Sequence, residues 1–362
     1  MKLIYLFLIC FATLNLSSEP RNMEHKIYLD KTDFELHVFE IHGKIPGPTL
    51  MIIGGIQGDE PSGYLAADIY SDVKLKRGNL IVVPRANFLS IMQNRRKINQ
   101  DMNRLFDNTQ KKIAEDDVVE VLKKYINKAD ILLNLHEGTG FYRPEYVDEK
   151  NNPDKYGQSI VADAEEYHSP KCNCDVELKK MAEKVIKEVN SDIDDPKYHF
   201  RFNNQNTASK DTAFPEQKKS ATYYALYTAG IPAFAVETSK NISDLELKVS
   251  MHSMIINEFM KIMGIVMANP LINIEPAILR YVLIKVNDEY KLVSNGDVLF
   301  VPRHGRIEIT AVETNYRRGV TADVLDVGSY NDIGKVLTLN KDTKIMVRKD
   351  SQLIAEIPVN IK

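Results

Sequence analysis

The feature that most constrains this chain is a run of extended-type apolar residues, 49–53, followed at once by Gly54-Gly55-Ile56-Gln57-Gly58-Asp59-Glu60-Pro61. The apolar run has the character of a buried strand, the two glycines allow a sharp turn, and a proline at the first helical position starts a helix. A strand–loop–helix junction of this kind belongs to an α/β fold and lies at the carboxyl edge of the sheet, where ligand sites gather. It sets Gln57 and Glu60 three residues apart across one tight turn, a spacing at which two oxygen-bearing side chains can grip one metal ion. The same residues also fit a plain helix start, in which Asp59 and Glu60 cap the helix and favour its positive end.

Two further junctions repeat the pattern. Residues 129–135 read as a second buried strand that delivers His136-Glu137-Gly138, and residues 231–236 as a third that delivers Glu237-Thr238-Ser239. A lone strand-end histidine is usually structural. Three strands that each hand a metal-competent or proton-transferring group to one edge point to chemistry instead.

Taken together, Gln57-Gly58-Asp59-Glu60, Asp101-Met102-Asn103-Arg104-Leu105-Phe106, Leu135-His136-Glu137-Gly138 and Val236-Glu237 resemble the zinc carboxypeptidase superfamily and its succinylglutamate desuccinylase and aspartoacylase relatives. Most of that superfamily has histidine at the position of Gln57. Glutamine there is similar to the cell-shape DL-carboxypeptidases of helical epsilonproteobacteria, which trim the peptide stems of peptidoglycan. The motifs span residues 49–239, and the resemblance implies an α/β fold: a mixed sheet flanked by helices.

The resemblance also implies a site. One zinc ion would be held by Gln57, Glu60 and His136, with a fourth position open for water. Glu237 would move the proton, while Asn103 and Arg104 would hold the substrate's carboxylate, a task that suits the planar guanidinium fork. Arg96 lies seven residues before Asn103, as does the arginine that polarises the scissile carbonyl in the aspartoacylase branch. Arg95 competes for that role. A neutral amide oxygen is a poorer ligand than imidazole, so metal affinity is expected to be lower than in the histidine version, with the net charge of the site unchanged.

At 362 residues and 44% hydrophobic content, the chain is long enough for two or three domains with real cores. Its 47 Lys and Arg against 50 Asp and Glu leave a net charge of -3, which gives no broad pull toward nucleic acid or anionic lipid. Residues 1–18, with a lysine at position 2 and an almost wholly apolar stretch before a polar exit, have the form of a secretory signal, too short for a permanent membrane span. A periplasmic protein without stable membrane insertion is therefore expected. Cys172 and Cys174 would remain after cleavage; one intervening residue strains a disulfide and leaves a metal site incomplete, so the pair reads as part of a surface loop with no assigned function.

Elsewhere, residues 26–41 read as an opening hairpin, and residues 79–84 as a strand that brings Arg85-Ala86-Asn87 to the active edge. Helices are expected over 61–73, 115–127, 175–190 and 243–264, and a further one opens near Ser220. Residues 141–174 are polar and punctuated by proline, and read as excursions over the cleft whose aromatics either line a groove or pin the loop. A catalytic domain over 24–268 is expected to be followed, after a Pro-marked linker, by an all-β accessory domain over 278–362 with six short strands. The resembled carboxypeptidases have two β modules, whereas one fits here. The expected function is a zinc metallocarboxypeptidase that trims muramyl tripeptides to dipeptides in cell-wall remodelling and cell shape, with peptidoglycan muropeptides as its partners. A zinc-dependent deacylase of N-acyl amino acids shares the same motifs, and the absent histidine also admits an inactive peptidoglycan-binding module.

Overall fold

The computed structural model describes residues 22–107, 113–268 and 276–362, so the expected signal segment over 1–18 lies outside the described residues. The chain opens with the antiparallel hairpin of β1 (Met23–Tyr28) and β2 (Leu36–His42). The interior strands β3 (Ile45–Ile53), β4 (Leu75–Val83) and β5 (Ile131–Gly138) carry near-continuous apolar runs, at the end of β3 and β4 and at the start of β5, as strands covered on both faces do. They are joined by β6 (Ser159–Ala162), β7 (Arg201–Asn204) and β8 (Ala233–Ser239). The order across the sheet is β1-β2-β4-β3-β5-β8-β6-β7, and Val266–Met267 adds a short piece beside β4 to make a nine-stranded sheet.

The centre of this mixed sheet is parallel: β4 pairs with β3, β3 with β5, and β5 with β8. Parallel strands end at a common edge, so the loop that follows β3 meets the last residues of β5 and β8 there. Alternation along the strands then fills both faces. Leu50 and Ile52 pack with Ala67 and Tyr70 of α1 (Pro61–Tyr70), while Met51 and Ile53 pack with the cluster that holds Val118 and Leu122 of α2 (Ala114–Ile126). The first face is completed by α3 (Leu178–Ser191), through Ala182 and Val185, and by α4 (Leu245–Met263), through Val249 and Phe259. Asp244 caps α4 by accepting from Leu247 N at 3.0 Å, and Gly264 ends it in the left-handed region at φ 70°. Among the described residues, no helix is long and apolar enough to cross a membrane.

Two expectations need correction. Residues 141–174 are not only excursions over the cleft: β6 lies within them and enters the main sheet, antiparallel to β8 and parallel to β7. A four-residue strand buried on both sides carries no periodicity, so its sequence is indistinguishable from a loop. The pair Cys172 and Cys174 forms a disulfide at the turn between Glu166–Ser169 and Cys174–Glu177, so the unfavourable spacing did not prevent bonding. The second correction concerns Arg85, which does not reach the active edge. It turns into the contact with the C-terminal module.

That module comprises two four-stranded sheets over one apolar core. The strands are β9 (Leu279–Val286), β10 (Glu289–Val293), β11 (Leu299–Val301), β12 (Arg306–Thr314), β13 (Val320–Val324), β14 (Val336–Thr338), β15 (Thr343–Lys349) and β16 (Gln352–Ile361). The sheet orders are β10-β9-β12-β14 and β11-β16-β15-β13, and Ile284, Ile309, Ile345 and Ile357 meet between them. Strands β13 and β14 go beyond the six foreseen. Arg85 anchors the module: its Nη1 donates to Asp68 of α1 at 2.9 Å, and its Nε and Nη2 donate to Asp350 at 2.5 and 3.1 Å. Arg318 of the module reaches back to Asp68 at 2.6 Å and to Asp72 at 2.5 Å.

Candidate active site

The loop after β3 is shaped by close approach. Gly55 has φ +65°, and a Cβ on Gly58 would lie 2.1 Å from the backbone of Ser90, so neither position admits a side chain without strain. The loop delivers Gln57 and Glu60, both 2% exposed, to the carboxyl edge. Glu60 makes no side-chain cap to α1. Its Oε2 lies 2.8 Å from Nδ1 of His136, and the α1 N-terminus is held by another residue, Glu137, whose Oε1 accepts from Ser62 N at 2.7 Å. The geometry thus turns Glu60 to the site and leaves the capping to β5. Glu137 in turn pairs with the buried Lys248 at 2.5 Å, which ties α4 to the same corner.

His136 and Glu237 are direct partners in the parallel register of β5 and β8, so one ladder rung sets the spacing between the imidazole and the second carboxylate. Burial alone would lower the His136 pKa, but the Glu60 carboxylate outweighs it and the net shift is upward. Burial pushes the Glu237 carboxyl up to about 7; the imidazole of His136 opposes the rise and Glu60 adds to it.

Asp101 organises the remaining groups. Both of its oxygens lie 2.9 Å from Gln57 Nε2, its Oδ2 accepts from Arg96 Nη2 at 3.0 Å, and its Oδ1 accepts from Asn103 N at 3.1 Å. A carboxylate only accepts, so the Gln57 amide must face it with its nitrogen, and Oε1 is left as the atom able to ligate. Burial would raise the Asp101 pKa, but the charge of Arg96 and the amide of Gln57 hold it below the usual carboxylate range. Arg96 also approaches Glu60 at 3.5 Å and lines the cleft, whereas Arg95 does not line it. The Asn103 Oδ1 accepts from Ala221 N at 3.0 Å, which turns its Nδ2 toward His136 Nε2, 3.5 Å away. Arg104 donates one N–H to the Asn103 carbonyl at 2.8 Å and lines the cleft.

Gln57, Glu60, Arg96, Asn103, Arg104, His136 and Glu237 thus all line one cleft of about 240 Å³. Sequence reasoning passed over three other residues that line or organise it. Asp101 stood inside a quoted motif, two residues before Asn103, and its carboxylate was the available signal. Lys240, which holds Asp59 at 2.6 Å beside Glu60, and Asp163, which follows β6, carried none.

Among the described residues no cluster of three or more His, Cys, Asp or Glu side chains is placed to bind a metal, and the amide oxygen of Gln57 is the further donor beside Glu60 and His136 in the cleft. An amide oxygen fixed by a carboxylate, a buried carboxylate and an imidazole together fit a divalent cation that tolerates mixed oxygen and nitrogen ligands.

The family that this chain matches is one of metallocarboxypeptidases. Residues 26–284 match the M99 peptidases, the catalytic part of carboxypeptidases controlling helical cell shape, and the chain belongs to that family. The fold is similar to that of tripeptide-bound cell shape determinant Csd4 from Helicobacter pylori, with a TM-score of 0.61 at 21% identity over 90% of this chain and 100% of that one. It is also similar to the mDAP-bound form of Helicobacter pylori Csd4, a D,L-carboxypeptidase, with a TM-score of 0.57 at 22% identity over 87% of this chain and 97% of that one. No curated protein matches the sequence.

Proposed function

We propose that this chain is a zinc-dependent DL-carboxypeptidase of the periplasm that removes the terminal diamino acid from muramyl tripeptide stems, leaving dipeptides. The observation that carries the reading is the meeting, in one cleft, of the Gln57, Glu60 and His136 donor set with the Asn103–Arg104 pair and Glu237. The tripeptide and mDAP complexes of the similar Csd4 protein supply the ligand class, and the apolar N-terminal stretch supports export.

Gln57 Oε1, Glu60 and His136 would hold one zinc ion. When bound, zinc polarises the scissile carbonyl and acidifies a water. The free terminal carboxylate of the stem is received by the fork of Arg104, with Asn103 Nδ2 as a further donor. Arg96, held by Asp101, directs its charge at the oxygen of the scissile carbonyl and stabilises the charge that develops there. Glu237 takes the proton of the attacking water and passes it to the leaving amine; a carboxylate with a pKa near neutrality is suited to both transfers.

Purified protein incubated with zinc and defined muropeptides tests the reading, with products separated and weighed by mass spectrometry. Conversion of tripeptide to dipeptide with release of the terminal diamino acid is expected. Zinc-loaded protein that leaves every muropeptide intact yet deacylates a small N-acyl amino acid would overturn it.

A further inference from the structure

One carboxylate in the cleft has no part in the reaction described above. Asp163 follows β6, is 3% exposed, and lines the same cleft as Arg104 and Glu237. Its hydrogen-bond partner is neutral: the Thr207 hydroxyl donates to Oδ1 at 2.5 Å. A carboxylate offers about four acceptor sites, so one hydroxyl leaves capacity for another donor.

Other buried carboxylates are matched by a cation or by amides: Glu137 is paired with Lys248, Asp68 and Asp350 share Arg85, and Glu115 and Asp332, without an ion pair, accept from the backbone N–H groups of Asn99 and of Val324 and Ser329. A buried charge is costly unless it is paired, yet among the described residues Asp163 makes no ion pair. Arg104 is the cation that acts on it from a distance, and in the reading above that guanidinium is engaged by the substrate carboxylate. The surrounding wall is held in place: Gln205 donates to Asn203 at 3.0 Å and accepts from the Tyr156 hydroxyl at 3.2 Å.

We infer that Asp163 is a specificity-determining residue that receives the second, distal ammonium group of a C-terminal diamino acid while Arg104 and Asn103 hold its carboxylate. The inference rests on the carboxypeptidase reading and names the group that recognises the distal amine of its terminal diamino acid. A terminal residue with a neutral side chain would enter the cleft and leave Asp163 desolvated without a partner, which disfavours it.

Two synthetic muramyl tripeptides test this, identical except that one ends in a diamino acid with a free distal amine and the other in the same carbon skeleton without that amine. Zinc-loaded wild type should show kcat/KM on the order of 10–100-fold higher for the first, the range expected of a hydrogen bond to a charged group. In Asp163→Asn that ratio should collapse toward one, with the loss on the diamino substrate falling on KM. A wild-type ratio near one, or an Asp163→Asn protein that keeps the wild-type ratio, overturns the inference and leaves the carboxypeptidase reading standing. Failure of wild type to cleave either peptide overturns both. Where Asp163→Asn does not fold, the wild-type ratio alone decides.

Discussion

Asp101→Asn is the perturbation that most directly tests how this chain makes a metal ligand of glutamine. In the structure the two oxygens of Asp101 accept four hydrogen-bonding approaches, two from Gln57 Nε2 and one each from Asn103 N and Arg96 Nη2. Asparagine can keep its oxygen for Gln57 and the Asn103 amide, but its NH2 group then faces both Gln57 Nε2 and the Arg96 guanidinium, donor against donor. The Gln57 amide relieves this by turning over, which presents nitrogen to the metal in place of oxygen. Loss of such an outer partner typically weakens metal affinity about 10–100-fold, equivalent to roughly 1.4–2.8 kcal/mol. Zinc affinity is measured by competition with a chromogenic chelator, beside the thermal midpoint of the metal-free protein. The expected result is weaker zinc binding with a folded protein. Unchanged affinity in a folded Asp101→Asn variant would show that the carboxylate does not orient Gln57, and the account of the amide ligand would fail.

Glu237→Gln should retain zinc and fold while losing about 10²–10⁴-fold in turnover, the usual worth of general acid–base assistance; zinc lost together with activity would instead make Glu237 a ligand. Arg104→Lys keeps the charge but loses the fork, and kcat/KM on a substrate with a free terminal carboxylate should fall by about 1.5–3 kcal/mol of binding. Unchanged kinetics there would remove Arg104 from the substrate contact. Arg85→Met leaves Asp68 to Arg318 and Asp350 to Lys349 in the buried contact and should lower stability by about 1–3 kcal/mol in urea unfolding, whereas a loss within error would mean the module is held elsewhere. Burial opposes ionisation of Asp68 and Asp350, but Arg85 holds both carboxyls below the usual range, so the stability they confer is present at neutral pH and lost as the pH falls below about 4. Thermal midpoints at pH 7 and pH 3 should therefore separate less in Asp68→Asn than in wild type.

What the sequence determined by itself is local chemistry joined to local geometry. Apolar runs that give way to glycine or to a polar triplet marked the carboxyl ends of β3, β5 and β8, although the triplets prove to be the last residues of β5 and β8 rather than turns. That was enough to nominate Gln57, Glu60, His136 and Glu237 as neighbours at one edge, whereas Asn103 and Arg104 came only with the family resemblance. Tertiary structure decided what depends on partners distant in the chain. β6 is too short to show a period, and it exists as a strand because β8 and β7 flank it. Arg85 follows an active-edge strand, yet it turns to Asp350, 265 residues away, because a guanidinium leaving water needs two carboxylates more than it needs the cleft. Arg96 rather than Arg95 lines the cleft because Asp101 and Glu60 draw it there. The helix-cap reading of Glu60 was settled by Glu137, which takes the Ser62 amide and frees Glu60 for His136. Asp163 had no motif at all. Its meaning comes from the absence of an ion-pair partner among the described residues, a property of the space around a side chain that no local pattern encodes.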